Sequence, residues 1–324
     1  MTIQDIYNLA IKLGVKADFR GEKKVKSILD RLKEKYENLN ADEKKEFDKE
    51  KFTNPYSDTR ILAGEPNKQI KKAFVGIDIQ PSELMLAREL GCDLVISHHP
   101  LGAALADLSD VMQLHAQILA KFGIPINIAE SLMEERISEV ARGISAINHF
   151  RTVDAAKLLK INLMCVHTAA DNLAAKFLDD LMNKKKPETL GDILKELKQI
   201  PEYAEATLRK TGPKIFVGNP EMSAGKIVLT EVTGGTQGAV GIYEKMSQYG
   251  IGTIIGMHTD EERRKEAIKH HVNIVIAGHI SSDSLGMNLF LDELEKKGVD
   301  IISGSGLIRI SRNRKANDKS SRKK

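Results

Sequence analysis

The sequence predicts an α/β fold of two lobes with mainly parallel sheets, preceded by a helical N-terminal extension. Three observations predict it. Short apolar runs of strand length alternate with amphipathic helical stretches after residue 70; a second run of the same alternation begins near residue 223; and a charged stretch containing Pro and Gly separates the two.

The elements follow in order. Residues 1–53 read as helix. DIYNLAIKLGV and VKSILDRLKEKYENL carry apolar residues at helical spacing with Lys and Glu between them, and NADEKKEFDKEKF reads as a capped, charged helix. After NPYSDTRILAGEP the texture changes. KKAFVGIDI is a strand, and PSELMLARELG is a helix that opens on Pro and closes on Gly. CDLVISHHP is a second strand, DVMQLHAQILAKFG a helix, and IPINIAES a third strand. A helix near Met133–Arg142 follows, then DAAKLLKI leading into the strand INLMCVHT. The expected first lobe is 54–185. Residues 186–222 read as a linker with a helix and a short strand. The second lobe, 223–310, holds KIVLTEVTGG, the helix GAVGIYEKMSQYG, the strand IGTIIGMH, the helix DEERRKEAIKHH, the strand VNIVIAGHI, the helix SLGMNLFLDELEKKG and a last strand, VDIISGS or GLIRI.

Composition limits the function classes. Hydrophobic residues at 41% and charged residues at 29% fit a soluble globular protein. With no Trp, the core must rest on Ile, Leu, Val, Met and Ala. The net charge of +4 is concentrated at the end, in RISRNRKANDKSSRKK, so the body is slightly acidic. Residues 311–324 are expected to form a basic, disordered tail. Such a tail can touch phosphates without reading sequence, but nucleic acid is not the expected partner. Two cysteines, Cys92 and Cys165, are too few for a disulfide framework and read as buried thiols. The first residues do not read as a signal peptide, and no apolar run has membrane-spanning length. A cytoplasmic protein is expected.

The chemistry lies at strand ends, where parallel sheets bind ligands. One strand ends in Asp78, the next in His98 and His99, the next in His167 and Asp171, another in His279 and Asp283, and a fifth in His258 and Asp260. On an extended strand His98 and His99 point to opposite faces, but at its end both can lean over one cavity. His167 with Asp171, and His279 with Asp283, are each four apart, so on a helical turn each pair offers an imidazole and a carboxylate to one point. A lone histidine at a strand end usually only caps it. Three such groups spread over both lobes instead suggest a shared metal site without thiolate, suited to Zn, Mn, Fe or Co. Two adjacent histidines do not easily reach one ion, so two divalent ions are expected; about 3.5–4 Å apart, they activate a water and hold both oxygens of a displacement. TEVTGGTQGAV matches no dinucleotide or P-loop motif. Thr233, Gly234, Gly235 and Gln237 are candidates for an anion seat at a helix start, against the simpler reading of a tight turn. Glu130, Glu134 and His149 read as structural or lining residues.

SHHPLG, HTAADN and AGHISSDSLG together resemble the Nif-three-like family, the GTP cyclohydrolase I type 2 homologs, and NPYSDTRIL and the GID strand end fit the same pattern. The resemblance spans roughly residues 54 to 310. It implies two intertwined, similar α/β lobes with a dinuclear metal site in the cleft between them, and homo-oligomers, often hexamers. Carried onto this sequence, the ligands are His98, His99, Asp171, His279 and Asp283, with His167 as a ligand or a support; the reach of His258 stays open. The family more commonly has Glu at the position of Asp283. The expected function is a metal-dependent hydrolase of a nucleotide or phosphorylated small molecule, with a metal-bound water as nucleophile supported by His167, Asp171 and Asp283. The alternative is a non-enzymatic ring that handles metal or docks a partner.

Overall fold

A computed structural model describes residues 1–313. The chain opens with α1 (Ile3–Ala17), α2 (Glu22–Glu37), α3 (Ala41–Glu46) and a 3-10 turn at Lys49–Phe52. The first repeat follows: β1 (Arg60–Ala63), β2 (Lys72–Gly76), α4 (Pro81–Glu89), β3 (Leu94–Ser97), α5 (Gly102–Ala106), α6 (Leu108–Val111), α7 (Gln113–Lys121), α8 (Ile126–Ser145), α9 (Arg151–Leu159), β4 (Asn162–Cys165) and α10 (Thr168–Lys185). Next come α11 (Leu190–Lys198), α12 (Pro201–Leu208) and β5 (Lys214–Val217). The second repeat continues with β6 (Lys226–Glu231), α13 (Ile242–Gln248), β7 (Ile251–Gly256), α14 (Glu261–Lys269), β8 (Asn273–Ile276), α15 (His279–Lys296) and β9 (Asp300–Gly304). No helix among the described residues is long and apolar enough to cross a membrane.

The two sheets repeat one plan. The first has the order β1-β4-β3-β2-β9 and the second β5-β8-β7-β6. In each, the leading strand is an antiparallel edge and the next three are parallel. The expected α/β class with two similar, mainly parallel lobes is therefore what forms, and the lobes are intertwined. Strand β9, from the chain's end, returns to the first sheet and pairs in parallel with β2. Helices α7 and α8, from the first repeat, supply Ala116, Leu119, Ala129 and Met133 to the core over the second sheet.

Strand alternation sorts side chains into layers. In β3, Leu94 and Ile96 face the central layer while Val95 faces α4 and α9. In β8, Val275 faces the central layer while Ile274 and Ile276 face α7, α8 and α13. The central layer is built on α10 and α15, which serve both sheets. Helix α1 belongs to it too: Ile3 and Ile6 are fully buried there, each worth about 1.5–3 kcal/mol.

Close helix crossings depend on small residues. A Cβ on Gly286 of α15 would fall onto the carbonyl of Ala170 in α10, 2.9 Å from its carbon, and one on Gly14 of α1 would lie 2.8 Å from the Cα of Ala169. Gly286→Ala therefore destabilises the protein by about 1–3 kcal/mol through overpacking against backbone, although alanine is favoured by about 1 kcal/mol in a helix interior. Urea unfolding checks this; equal or greater stability would contradict the crossing.

Three expectations change. IPINIAES is not a strand: Pro125 opens α8, whose buried positions Ala129, Met133 and Val140 have helical spacing, and the expected helix near Met133–Arg142 is its middle. The tail is not free from Ser311 onward. Arg312 pairs with buried Glu202 at 2.8 Å, Ser311 donates to Glu295 at 2.7 Å, and Asn313 donates to the Asp292 carbonyl at 2.6 Å; the rest of the expected disordered tail, 314–324, lies outside the described residues. Cys92 is only half-buried, whereas Cys165 is fully buried, with its thiol pushed up to about 12 by burial.

Candidate metal centre

The strand ends resolve into one cluster. Because Leu94 and Ile96 face the central layer, alternation turns His98 the same way, toward α10 and α15. Its main-chain N–H continues the ladder to the Gly76 carbonyl at 2.9 Å, and His99 donates likewise to Ile77 at 2.9 Å. The chain leaves the sheet at Pro100, and both imidazoles, 5.3 Å apart by ring centroid, reach the same cavity. His167 caps the start of α10 with Asp171 one turn on, and His279 opens α15 with Asp283 one turn on. These are matching places in the two repeats, and the α10–α15 crossing brings both pairs together.

The distances are those of groups that can share a cation. His98 Nε2 lies 3.4 Å from Asp171 Oδ1 and 3.5 Å from Asp283 Oδ1; Asp283 Oδ2 lies 3.4 Å from His99 Nε2 and 3.6 Å from His279 Nε2. His98 Nε2, Asp171 Oδ1 and both Asp283 oxygens are buried without a hydrogen-bond partner, and such orphaned groups cost free energy unless something satisfies them. Three overlapping sets can each hold a metal ion: His98, His99 and His167; His99, His279 and Asp283; and His98, Asp171 and Asp283. The donors are imidazole nitrogens and carboxylate oxygens, the mixture that suits transition metals.

Outer partners fix the rings. His98 Nδ1–H donates to the Val166 carbonyl at 3.0 Å, which leaves Nε2 as the free lone pair facing the carboxylates. His99 Nδ1–H donates to Asp78 at 2.7 Å, and His167 Nδ1–H donates to Asp58 at 2.8 Å. Carboxylate–imidazole pairs of this kind orient metal ligands and raise their basicity. Asp58 is fully buried and also accepts from the Thr168 hydroxyl at 2.6 Å and its N–H at 3.3 Å, so it caps α10 as well. Asp58 was not singled out from the sequence; its only signal was its place in NPYSDTRIL.

Electrostatics separates the two acids. Burial drives the Asp171 carboxyl up to about 6 against the pull of His167 and His98. Burial opposes ionisation of Asp283 too, but His98, His99 and His279 outweigh it and hold it well below the usual carboxylate range. Burial disfavours the charged form of His99, yet hydrogen bonds to Asp283 and Asp78 prevail and raise it to about 10. Burial lowers His279 to about 4.

All five expected ligand residues meet here, with His167 among them. His258 lies beside His279, 4.7 Å between ring centroids, and lines the cavity without joining any of the three sets. Asp260 faces elsewhere: it caps α14 and pairs with Arg263. The glycine-rich loop gives no helix start for an anion, because α13 begins only at Ile242. The loop lines the cavity instead, and His115 Nε2–H holds it by donating to the Thr236 carbonyl at 2.7 Å. His149 lines the cleft, while Glu130 and Glu134 line a separate cavity along α7 and α8.

A family model described as Duf34/NIF3 (NGG1p interacting factor 3) matches residues 49–123, the segment that carries Asp58, Asp78, His98 and His99. The crystal structure of a NIF3 superfamily protein from Sphaerobacter thermophilus aligns over 78% of this chain and 92% of its own, with 27% identity and a TM-score of 0.69. The chain thus resembles NIF3 proteins in residues 49–123 and shares the fold of the Sphaerobacter protein along most of its length. Reduced HcgD from Methanocaldococcus jannaschii aligns over 75% of this chain and 87% of its own at 16% identity and a TM-score of 0.48. TTHA1606 from Thermus thermophilus aligns over 78% and 88% at 15% identity and a TM-score of 0.45. No curated protein matches the chain. Asp283 has both carboxylate oxygens inside the cluster.

Proposed function

We propose that this Nif-three-like protein binds two divalent transition-metal ions and is a metal-dependent hydrolase of a nucleotide or phosphorylated small molecule. The observation that carries the reading is the set of four buried, unsatisfied ligand atoms on His98, Asp171 and Asp283 where the two lobes meet. His98, Asp171 and Asp283 would hold one ion and His99, His279 and Asp283 the other, with His167 beside them. Bound there, the ions supply an activated water and neutralise developing charge. Asp78 and Asp58 keep His99 and His167 turned toward the centre, and Asp171 would orient an attacking water while it ligates. Turnover of a panel of nucleotides and phosphomonoesters, lost with chelator and regained with metal, tests the reaction. Turnover that ignores chelation would overturn it.

Protons compete with the ions. His99 must shed the proton it otherwise holds up to about 10, so apparent metal affinity rises about tenfold per pH unit between about 6 and 8. Below about 6 the slope steepens, because Asp171 must also be deprotonated. Stability of the metal-free protein depends on two shifts of opposite sign, those of His99 and Asp283. The contribution of His99, raised in the fold, is full below about 6.5 and fades as pH climbs toward 10; that of Asp283, depressed in the fold, is present above about 4 and fades below it. Titration calorimetry in buffers of different ionisation enthalpy measures the protons released; no release at pH 7 would contradict the cluster's charge state.

A second reading, a non-enzymatic metal-handling or partner-docking ring, is favoured by one observation. Met85, Leu86, Leu90 and Leu158, on or beside α4 and α9, leave apolar side chains exposed on the outer layer, a feature of association surfaces. We assign that face to a homo-oligomer, a hexamer in the family pattern, which is the ring this reading needs; light scattering of Leu86→Glu/Leu158→Glu beside wild type tests it, and an unchanged mass would reject it.

A further inference from the structure

The cleft over the metal cluster has a chemistry of its own. It holds about 600 Å3, the size of a small-molecule site. One wall is apolar: Pro100, Leu101, Leu105, Leu108 and Ile147. Arg151, at the start of α9, is the only Lys or Arg among the described residues that line this cleft and the adjoining cavity that reaches Asp171 and Asp283. Its exposed guanidinium has no ion-pair partner among the described residues. Against it, the two linings present four carboxylates: Asp78, Asp171, Glu231 and Asp283. Two divalent ions added to these groups leave roughly one net positive charge, with the ions themselves the largest local charges.

Resting on the metal-dependent hydrolase reading, we infer that the substrate is a compact molecule with an apolar or aromatic body and a single phosphate, not a nucleoside triphosphate. The body lies on the Leu101–Leu105–Leu108–Ile147 wall. The phosphate bridges Arg151 and the metal centre, where a guanidinium gives a paired, charge-assisted grip. A triphosphate brings several negative charges, and beyond the metal centre the described residues of the lining offer no second cationic side chain to receive them. The apolar wall would also face its phosphate chain without hydrogen bonds.

Titration calorimetry on the full-length, zinc-loaded protein tests this with phenyl phosphate, inorganic phosphate and GTP. Phenyl phosphate is expected to bind at least about tenfold more tightly than inorganic phosphate, and more tightly than GTP. Arg151→Gln, an exposed position, is expected to weaken phenyl phosphate about tenfold or more while zinc content stays at the wild-type level. Leu105→Asn is expected to remove the preference for phenyl phosphate over inorganic phosphate. Tighter binding of GTP, an unchanged affinity in Arg151→Gln, or no binding of phenyl phosphate to zinc-loaded protein overturns the substrate class and leaves the metal reading standing. A wild type that takes up no zinc overturns both.

Discussion

Asp283→Ala is expected to reduce the metal content of the protein from the proposed two ions per chain to fewer than one. Asp283 belongs to two of the three ligand sets, and both its oxygens are buried and unsatisfied, one toward His98 and one toward His99 and His279. Without it, one set would keep only His98 and Asp171 and the other only His99 and His279, fewer protein ligands than transition-metal sites ordinarily use. The loss reaches the metal-free protein as well. Asp283 is the buried counter-charge that holds the proton on His99, and removing one member of a buried ion pair strands the other, so the melting temperature without metal also falls. Asp283→Glu, which keeps the carboxylate and adds one methylene, is expected to retain both ions. Metal analysis after exhaustive dialysis reads the outcome; full occupancy in Asp283→Ala would remove Asp283 from the centre.

Asp58→Ala has the second large effect. Asp58 touches no position where a ligand atom converges, yet it is fully buried and accepts from His167 Nδ1–H, the Thr168 hydroxyl and the Thr168 N–H. Truncation leaves three donors without a partner, one at the start of α10, and costs about 3 kcal/mol or more of stability. His167 loses the bond that orients it, and metal affinity falls about 10–100-fold. Urea unfolding of the metal-free protein and competitive metal titration separate the two effects. A stable variant with wild-type affinity would make Asp58 a bystander.

Much of this was legible in the sequence because the signals were local. Strands β2, β3, β4, β7 and β8 are short apolar runs, and the i, i+4 pairs His167/Asp171 and His279/Asp283 lie on the first turns of helices, as their spacing predicts. What stayed hidden is non-local. Ile126 and Ile128 alternate like a strand, but Pro125 and the burial of Ala129 and Met133 make the segment a helix that covers the other repeat's sheet. Strand β1, only four residues long, forms by antiparallel pairing with β4, about a hundred residues away. Strand β9 is apolar enough to be read as a strand, yet nothing near it says that it joins β2 in the first sheet. Asp58 looks like a turn residue in NPYSDT until the start of α10 is folded onto it. Arg151 carries no motif; only the cleft gives it a role.

The most direct test of the central claim is the metal content of purified, full-length protein after reconstitution, wild type beside His98→Ala and Asp283→Ala. About two transition-metal ions per chain, reduced in both variants, is the expected result. No stoichiometric metal in the wild type would mean that these histidines and aspartates only cap strands and helices, and the hydrolytic reading would lose its chemistry.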